Sequence, residues 1–359
     1  MSDRTLAVQE LVSLGWSDEL EAAFDPYAER GFRPARVVAE HRGGYLVRSE
    51  LDERLAHPRG KLRDDELFGG MPAVGDWVAV CDAPGERAAI EAVLPRRTKV
   101  SRKTPWLKAE EHVLAANVDT VLLVTGLDGD FNPRRLERYL VAAWDSGANP
   151  VIVLTKLDLL DDPDRLTEAE SVGFGVPVLA VSNLTGEGIE ELRALLRPRH
   201  TFVLLGSSGV GKSTLVNRLA GRRLMPTGDL RNDGRGRHTT RHRQLLVLPN
   251  GALLVDTPGL RELQVWEGDV DSAFADIAEI ASTCRFNDCA HETEPDCAIR
   301  EALETGALDR ERWASYLKLQ RELRSVRTRR GTREHRELKR RWRARTRESR
   351  RARRYGGKQ

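Results

Sequence analysis

The chain has 359 residues, 40% of them hydrophobic and 31% charged, which describes a soluble globular protein with room for two or three domains. Leu11, Val12 and Leu14 are soon followed by Asp18, Glu19 and Glu21, and no apolar run reaches membrane-spanning length, so a secretory start and a membrane partner are excluded and the cytoplasm is expected. The net charge of +3 hides an asymmetry: residues 321–359 hold 18 Lys and Arg against 4 acidic residues, leaving 40 basic and 51 acidic residues in the first 320. A run such as Arg340-Arg341-Trp342-Arg343-Ala344-Arg345 repels itself, and a polyanion relieves that repulsion most simply, so nucleic acid is the expected partner.

In chain order, residues 1–32 read as an N-terminal helical arm, with Leu6, Leu11, Leu14, Leu20 and Phe24 among acidic positions. Residues 33–100 change to short alternating runs such as Arg36-Val37-Val38-Ala39 and Asp76-Trp77-Val78-Ala79-Val80, divided by Gly and Pro turns. That spacing predicts a small β-barrel, for which an oligonucleotide-binding (OB) fold is one candidate. Arg96, Arg97, Lys99, Arg102 and Lys103 follow it as candidate phosphate contacts or as a basic linker. Residues 101–265 alternate strand and helix. Strands are predicted at 120–124, 150–154, 177–181, 201–205, 244–248 and 252–255, with helices at 133–144, 187–196 and 212–219, which makes a mainly parallel α/β sheet. Ligand chemistry in such a sheet collects at the strand C-termini.

Gly206-Ser207-Ser208-Gly209-Val210-Gly211-Lys212-Ser213 follows one of these strands and opens a helix at Lys212, with Thr214 next. Its glycines let backbone N–H groups curl around phosphates, Lys212 places a point charge on the β and γ groups, and Ser213 offers a hydroxyl to magnesium. Asp256-Thr257-Pro258-Gly259 ends a later strand; Asp256 suits magnesium and the Gly259 N–H suits the γ-phosphate. In Thr155-Lys156-Leu157-Asp158 a loop carboxylate can accept both the N1–H and the exocyclic amine of guanine, a donor pair adenine lacks. Lys156 would lie along the base, and a backbone N–H of Ser182-Asn183 can reach its oxygen. The base-reading segment precedes the phosphate loop, so the order is that of a permuted GTPase that binds GTP and GDP.

Residues 266–320 contain Cys284, Cys289, His291 and Cys297 in the spacing C-x4-C-x-H-x5-C. Three thiolates and an imidazole form a closed tetrahedral set suited to one structural zinc ion, in a small helical module. Short helices are predicted at 273–280 and 298–303, and Cys81 reads as a core residue.

Taken together, the order of guanine motif, Ser182 segment, phosphate loop, threonine pair and Asp-Thr-Pro-Gly, preceded by a small barrel and followed by a Cys/His cluster, closely resembles the bacterial ribosome small-subunit-dependent circularly permuted GTPases, the RsgA or YjeQ family. The likeness covers roughly residues 33 to 320. It implies a multidomain fold: an OB barrel, an α/β circularly permuted P-loop GTPase and a small helical zinc domain, with residues 321–359 as a basic tail. It also implies action on the 30S subunit and its 16S rRNA in late maturation, with GTP hydrolysis stimulated by that subunit; a monomer is expected. An RNA-binding assembly placeholder that uses GTP only as a conformational latch is the alternative. Three positions depart from the family pattern: Thr155 stands where Asn is more usual, Asn183 where Ala is common, and Arg241 in place of a third Thr in Gly236-Arg237-His238-Thr239-Thr240-Arg241. Thr240 is the expected magnesium ligand, with Thr239 as the alternative. Leu260 follows the Asp-Thr-Pro-Gly turn and cannot orient water, so His238 is the expected water-orienting group. Unassisted turnover should then be slow, roughly 10⁻⁴ to 10⁻² per second.

Overall fold

A computed structural model describes residues 9–41, 43–60, 62, 70–83, 87–103, 111–129, 131–173, 175–225, 243–256, 274–286, 289–292, 294–310 and 312–321. The chain divides into two compact units, Met1–Val265 and Trp266–Gln359.

The first unit has a helical stretch at 9–13 and then the helix Asp18–Ala28, started by Ser17, whose hydroxyl accepts the Leu20 N–H, and by acidic residues in the first turn that suit the positive end of the helix dipole. Strands β1 (Arg33–His41), β2 (Gly44–Ser49), β3 (Glu53–Pro58), β4 (Trp77–Ala83) and β5 (Arg87–Val93) follow. They pair in the order β1-β2-β3-β5-β4, and β4 returns to β1, which closes a five-stranded OB-like barrel. Its interior is filled by alternate residues, among them Val37, Val47, Ala56, Val78 and Ile90. A hairpin of β6 (Lys99–Lys103) and β7 (Glu111–Ala116) leads out.

The α/β part adds β8 (Thr120–Gly126), β9 (Asn149–Thr155), β10 (Val178–Ala180), β11 (Thr201–Leu205), β12 (Gln244–Val247) and β13 (Leu253–Asp256). Every residue of β8 is buried, as expected of a parallel strand covered on both faces. The order β10-β9-β8-β11-β13 is parallel throughout, and β12 joins its edge antiparallel to β13. The far side of β12 then pairs with β1 at Ala39 opposite Gln244, and Arg243 reinforces the seam with an ion pair to Glu40 at 2.7 Å. Barrel and α/β sheet thus form one eleven-stranded sheet. The pairing covers an edge that β12 would otherwise present as a row of unpaired N–H and C=O groups.

Arg36 fastens this junction. It is buried on β1 and donates from Nε to the Gly75 carbonyl at 3.2 Å, from one terminal nitrogen to the Leu14 carbonyl, and from the other to the Thr201 hydroxyl at 2.8 Å. Its guanidinium also lies over the Trp77 ring, against which Trp16 packs edge-on at 4.8 Å. Burial pushes its pKa down to about 10, with Asp119 opposing the shift, so it stays charged at neutral pH. The N-terminal segment is therefore docked on the junction through Leu14 and Trp16, and the strand leading to the phosphate loop shares the same clamp. Arg36→Met is expected to lower stability by about 3 kcal/mol, since it removes the charged donor from the buried Leu14 carbonyl and the Thr201 hydroxyl, while the Gly75 carbonyl keeps the Asn117 amide at 3.1 Å, and urea unfolding measures the loss; an unchanged midpoint would refute the clamp.

The second unit contains the helices Ala275–Ser282 and Ala298–Thr305 and a helical stretch at 312–321. Its buried residues include Phe274, Ile277, Ile299, Leu308 and Leu319. Trp313 stacks on Tyr316 at 5.4 Å, and Arg312 holds Asp276 at 2.6 Å.

Candidate functional site

β11 lies between β8 and β13, so its C-terminal end opens at the centre of the parallel sheet's ligand-binding edge. Residues 206–211 turn from it into the helix Lys212–Ala220, capped by Gly211 in the left-handed region at φ 97°. Only glycine suits position 206, because a β-carbon there would lie 2.2 Å from the Val124 carbonyl oxygen on β8. Lys212 reaches back through Nζ to the carbonyls of Gly206 at 2.7 Å and Ser207 at 2.5 Å, which holds the loop closed around the helix N-terminus. Val210 is buried beneath it, whereas Ser208, Gly209 and Thr214 are exposed. β13 runs parallel to β11 with Val255 opposite Val203, so the chain brings Asp256 to the end of the strand beside the loop. Gly259, Thr239, Thr240 and His238 lie outside the described residues.

β9 ends at Thr155, and Lys156 takes the left-handed conformation at φ 60° before the short turn Leu157–Leu159. Lys156 Nζ pairs with Asp128, a residue of the loop after β8 that the sequence reading did not single out. Asp158 Oδ1 accepts the Ser182 hydroxyl at 2.5 Å, and the Ser182 oxygen in turn accepts the N–H groups of Leu184 at 3.2 Å and Thr185 at 3.0 Å. Ser182 thus serves through its side chain: a folded loop aims its hydroxyl hydrogen at one carboxylate oxygen.

Thr155 and Asn183 stitch their segments to the loop at 206–211. Thr155, fully buried, donates its hydroxyl to the Val210 carbonyl at 2.6 Å. Asn183 donates from Nδ2 to the Gly211 carbonyl at 3.3 Å. Thr155 is therefore a brace between the two loops, because its single hydroxyl hydrogen is spent on Val210. Arg96 and Arg97, read from sequence as candidate phosphate contacts, pair with the buried Asp76 at 2.6 Å and with Asp119 at 3.1 Å. Burial raises the Asp76 pKa and the Arg96 guanidinium opposes that shift, so the pair belongs to the barrel's support.

In the second unit, Cys284, Cys289, His291 and Cys297 bring their ligand atoms within 4.8 Å of one another. His291 Nδ1 lies 3.5 Å from Cys284 Sγ and 3.4 Å from Cys297 Sγ, and those two sulfurs are 4.0 Å apart. A tetrahedral zinc ion with its usual bond lengths requires about 3.8 Å between sulfurs and about 3.5 Å between sulfur and nitrogen, so the donor set fits. Cys297 also opens the helix Ala298–Thr305, and the His291 ring rests on Trp313 at 5.7 Å. With four protein ligands, no coordination position is open for chemistry. Cys81, on β4, is half-buried.

Comparison with known proteins agrees with this geometry. A family model described as RsgA GTPase matches residues 93–266. The small ribosomal subunit biogenesis GTPase RsgA of Opitutus terrae is 50% identical over 328 residues, 87% of this chain and 89% of that one. The protein of the same name from Streptomyces coelicolor is 44% identical over 324 residues, 87% of this chain and 86% of its own. Among solved structures, YjeQ from Thermotoga maritima matches with a TM-score of 0.61 at 31% identity, over 81% of this chain and 98% of that one. YloQ, described as a circularly permuted GTPase, shares the fold with a TM-score of 0.57 at 24% identity, over 82% of this chain and 96% of its own.

Proposed function

Since this chain belongs to the RsgA GTPase family, we propose that it engages the small (30S) ribosomal subunit during late maturation and hydrolyses GTP to GDP and phosphate under stimulation by that subunit. The observation that carries the reading is the meeting of a phosphate loop and a serine-oriented carboxylate at one edge of a parallel sheet, in permuted chain order. In this reading residues 206–214 cradle the phosphates, with Lys212 on the β and γ groups. Ser213, Thr240 and Asp256 would hold magnesium, whose charge would offset that of the phosphates, and the Gly259 N–H would face the γ group. Asp158 accepts the guanine N1–H and amine, Ser182 holds that carboxylate in place, Lys156 lies along the base and the Asn183 N–H meets its oxygen. Zinc on Cys284, Cys289, His291 and Cys297 holds its module together.

The functional parts follow the chain: arm 1–32, barrel 33–100, GTPase 101–265, zinc module 266–320 and basic tail 321–359. Arg33, Arg48, Arg54, Arg59 and Arg96 of the barrel are each paired with a carboxylate, so the tail, with 18 basic residues against 4 acidic ones, is the main source of attraction to 16S rRNA phosphates. The protein would act as a monomer in the cytoplasm; among the described residues no helix is long and apolar enough to cross a membrane.

GTP turnover measured alone, with purified 30S subunits and with 50S subunits tests this function. The expected result is slow intrinsic hydrolysis, raised tenfold or more, as an order of magnitude, by 30S alone, the range in which one added transition-state contact acts. Equal rates in all three conditions would sink the proposal. His238→Ala in the 30S arm tests water orientation: normal turnover with normal binding would remove His238 from that role.

A further inference from the structure

We propose that the Asn183 side chain donates a hydrogen bond to N7 of the bound guanine, supplying from position 183 the carboxamide that position 155 lacks. This rests on the guanine reading above and adds a base contact to the backbone one assigned to Asn183 there.

Thr155 and Asn183 occupy one neighbourhood. A β-carbon on Gly211 would lie 3.0 Å from Asn183 Nδ2 and 4.0 Å from Thr155 Oγ1. Thr155 has no hydrogen left for a base, since its Oγ1 lies 2.6 Å from the Val210 carbonyl and 3.2 Å from that of Thr125, both acceptors, and it has one proton to give. Asn183 has capacity. Its Nδ2 carries two hydrogens, and the structure commits one, in a long bond of 3.3 Å to the Gly211 carbonyl. Its Oδ1 is shielded from solvent and accepts no hydrogen bond. Turning the amide over would set Oδ1 against the Gly211 carbonyl, acceptor to acceptor, so the nitrogen end is held toward the phosphate loop.

The chemistry of guanine then selects the contact. With N1–H and the exocyclic amine at Asp158, and O6 at the Asn183 backbone N–H, the next acceptor along the same edge is N7. N7 belongs to the five-membered ring that carries the ribose, and hence the phosphates, so it lies on the phosphate-loop side of O6. That is the side to which Asn183 Nδ2 is held. N7 accepts in both guanine and adenine, so this bond adds affinity and orientation while Asp158 retains the choice of base.

Binding of GDP and of 7-deaza-GDP, which carries C–H in place of N7, to the full chain and to Asn183→Ala tests the proposal. The wild type is expected to bind 7-deaza-GDP about five- to tenfold more weakly, the worth of one neutral hydrogen bond. Asn183→Ala should bind GDP more weakly by a similar factor and show no further loss with 7-deaza-GDP, at an unchanged thermal midpoint. A wild type indifferent to the 7-deaza change, or an Asn183→Ala variant that keeps the whole penalty, overturns the proposal. The guanine reading fails by a different route, if Asp158→Asn does not move preference toward xanthine nucleotides.

Discussion

Asp158→Asn is expected to lower kcat/KM for GTP by on the order of ten-thousand-fold and to restore most of it with XTP. The carboxylate presents two acceptors to two guanine donors, and Ser182 already fixes one of its oxygens at 2.5 Å. An amide puts a donor where the exocyclic amine also donates, so one buried polar pair is opposed instead of joined. Xanthine carries a carbonyl at that carbon and pairs with the amide. The effect is large because the carboxylate is preorganised: Ser182 is completely buried, and the N–H groups of Leu184 and Thr185 fix its hydroxyl. Steady-state kinetics with both nucleotides checks it. An equal fall for GTP and XTP would mean that the substitution only disturbs the loop, and would end the assignment of Asp158 as the base-reading group.

Removing zinc is expected to unfold the second unit. Apparent binding free energies of about 10 to 16 kcal/mol in small zinc modules exceed what two eight-residue helices and the helical stretch at 312–321 can supply from the buried side chains described there. Cys297 links metal and helix, since it is a ligand and also the residue that opens Ala298–Thr305, while His291 braces Trp313. A strong chelator should release one zinc per chain, expose Cys284, Cys289 and Cys297 to thiol reagents, and abolish one thermal transition. The transition of the first unit should persist. Retained helicity and unreactive thiols after complete zinc loss would show that the module folds without metal.

Much of the site was legible in the amino-acid order. The strand before the phosphate loop was expected at 201–205 and runs Thr201–Leu205; the helix after it was expected at 212–219 and runs Lys212–Ala220. A five-residue apolar run, a glycine-rich turn and a helical apolar face are each encoded within a few residues. The hairpin β6–β7 was not legible. Three of the five residues of its strand Lys99–Lys103 are basic, and its pairing with Glu111–Ala116 depends on neighbours outside the segment. Arg36 reads as a polar position among valines; its burial follows from Leu14, Gly75 and Thr201 converging on it. Asp128 sits in a run of glycine and aspartate that looks like a surface turn until β8 and β9 lie parallel and bring it to Lys156.

Local spacing decides which groups are proposed to carry the chemistry here: the glycines and lysine of the phosphate loop, the carboxylate of Asp158, and the three cysteines with one histidine. Those features are short-range, because backbone turns and metal geometry act over a handful of residues. Tertiary structure alone decides how these groups are held. Ser182 reaches Asp158 across 24 residues, Thr155 reaches Val210 across 55, and Arg36 reaches Thr201 across 165. Such contacts exist only once parallel strands lie side by side and the barrel edge closes on β12, since a hydroxyl or guanidinium has no preferred partner in the chain until packing removes it from water.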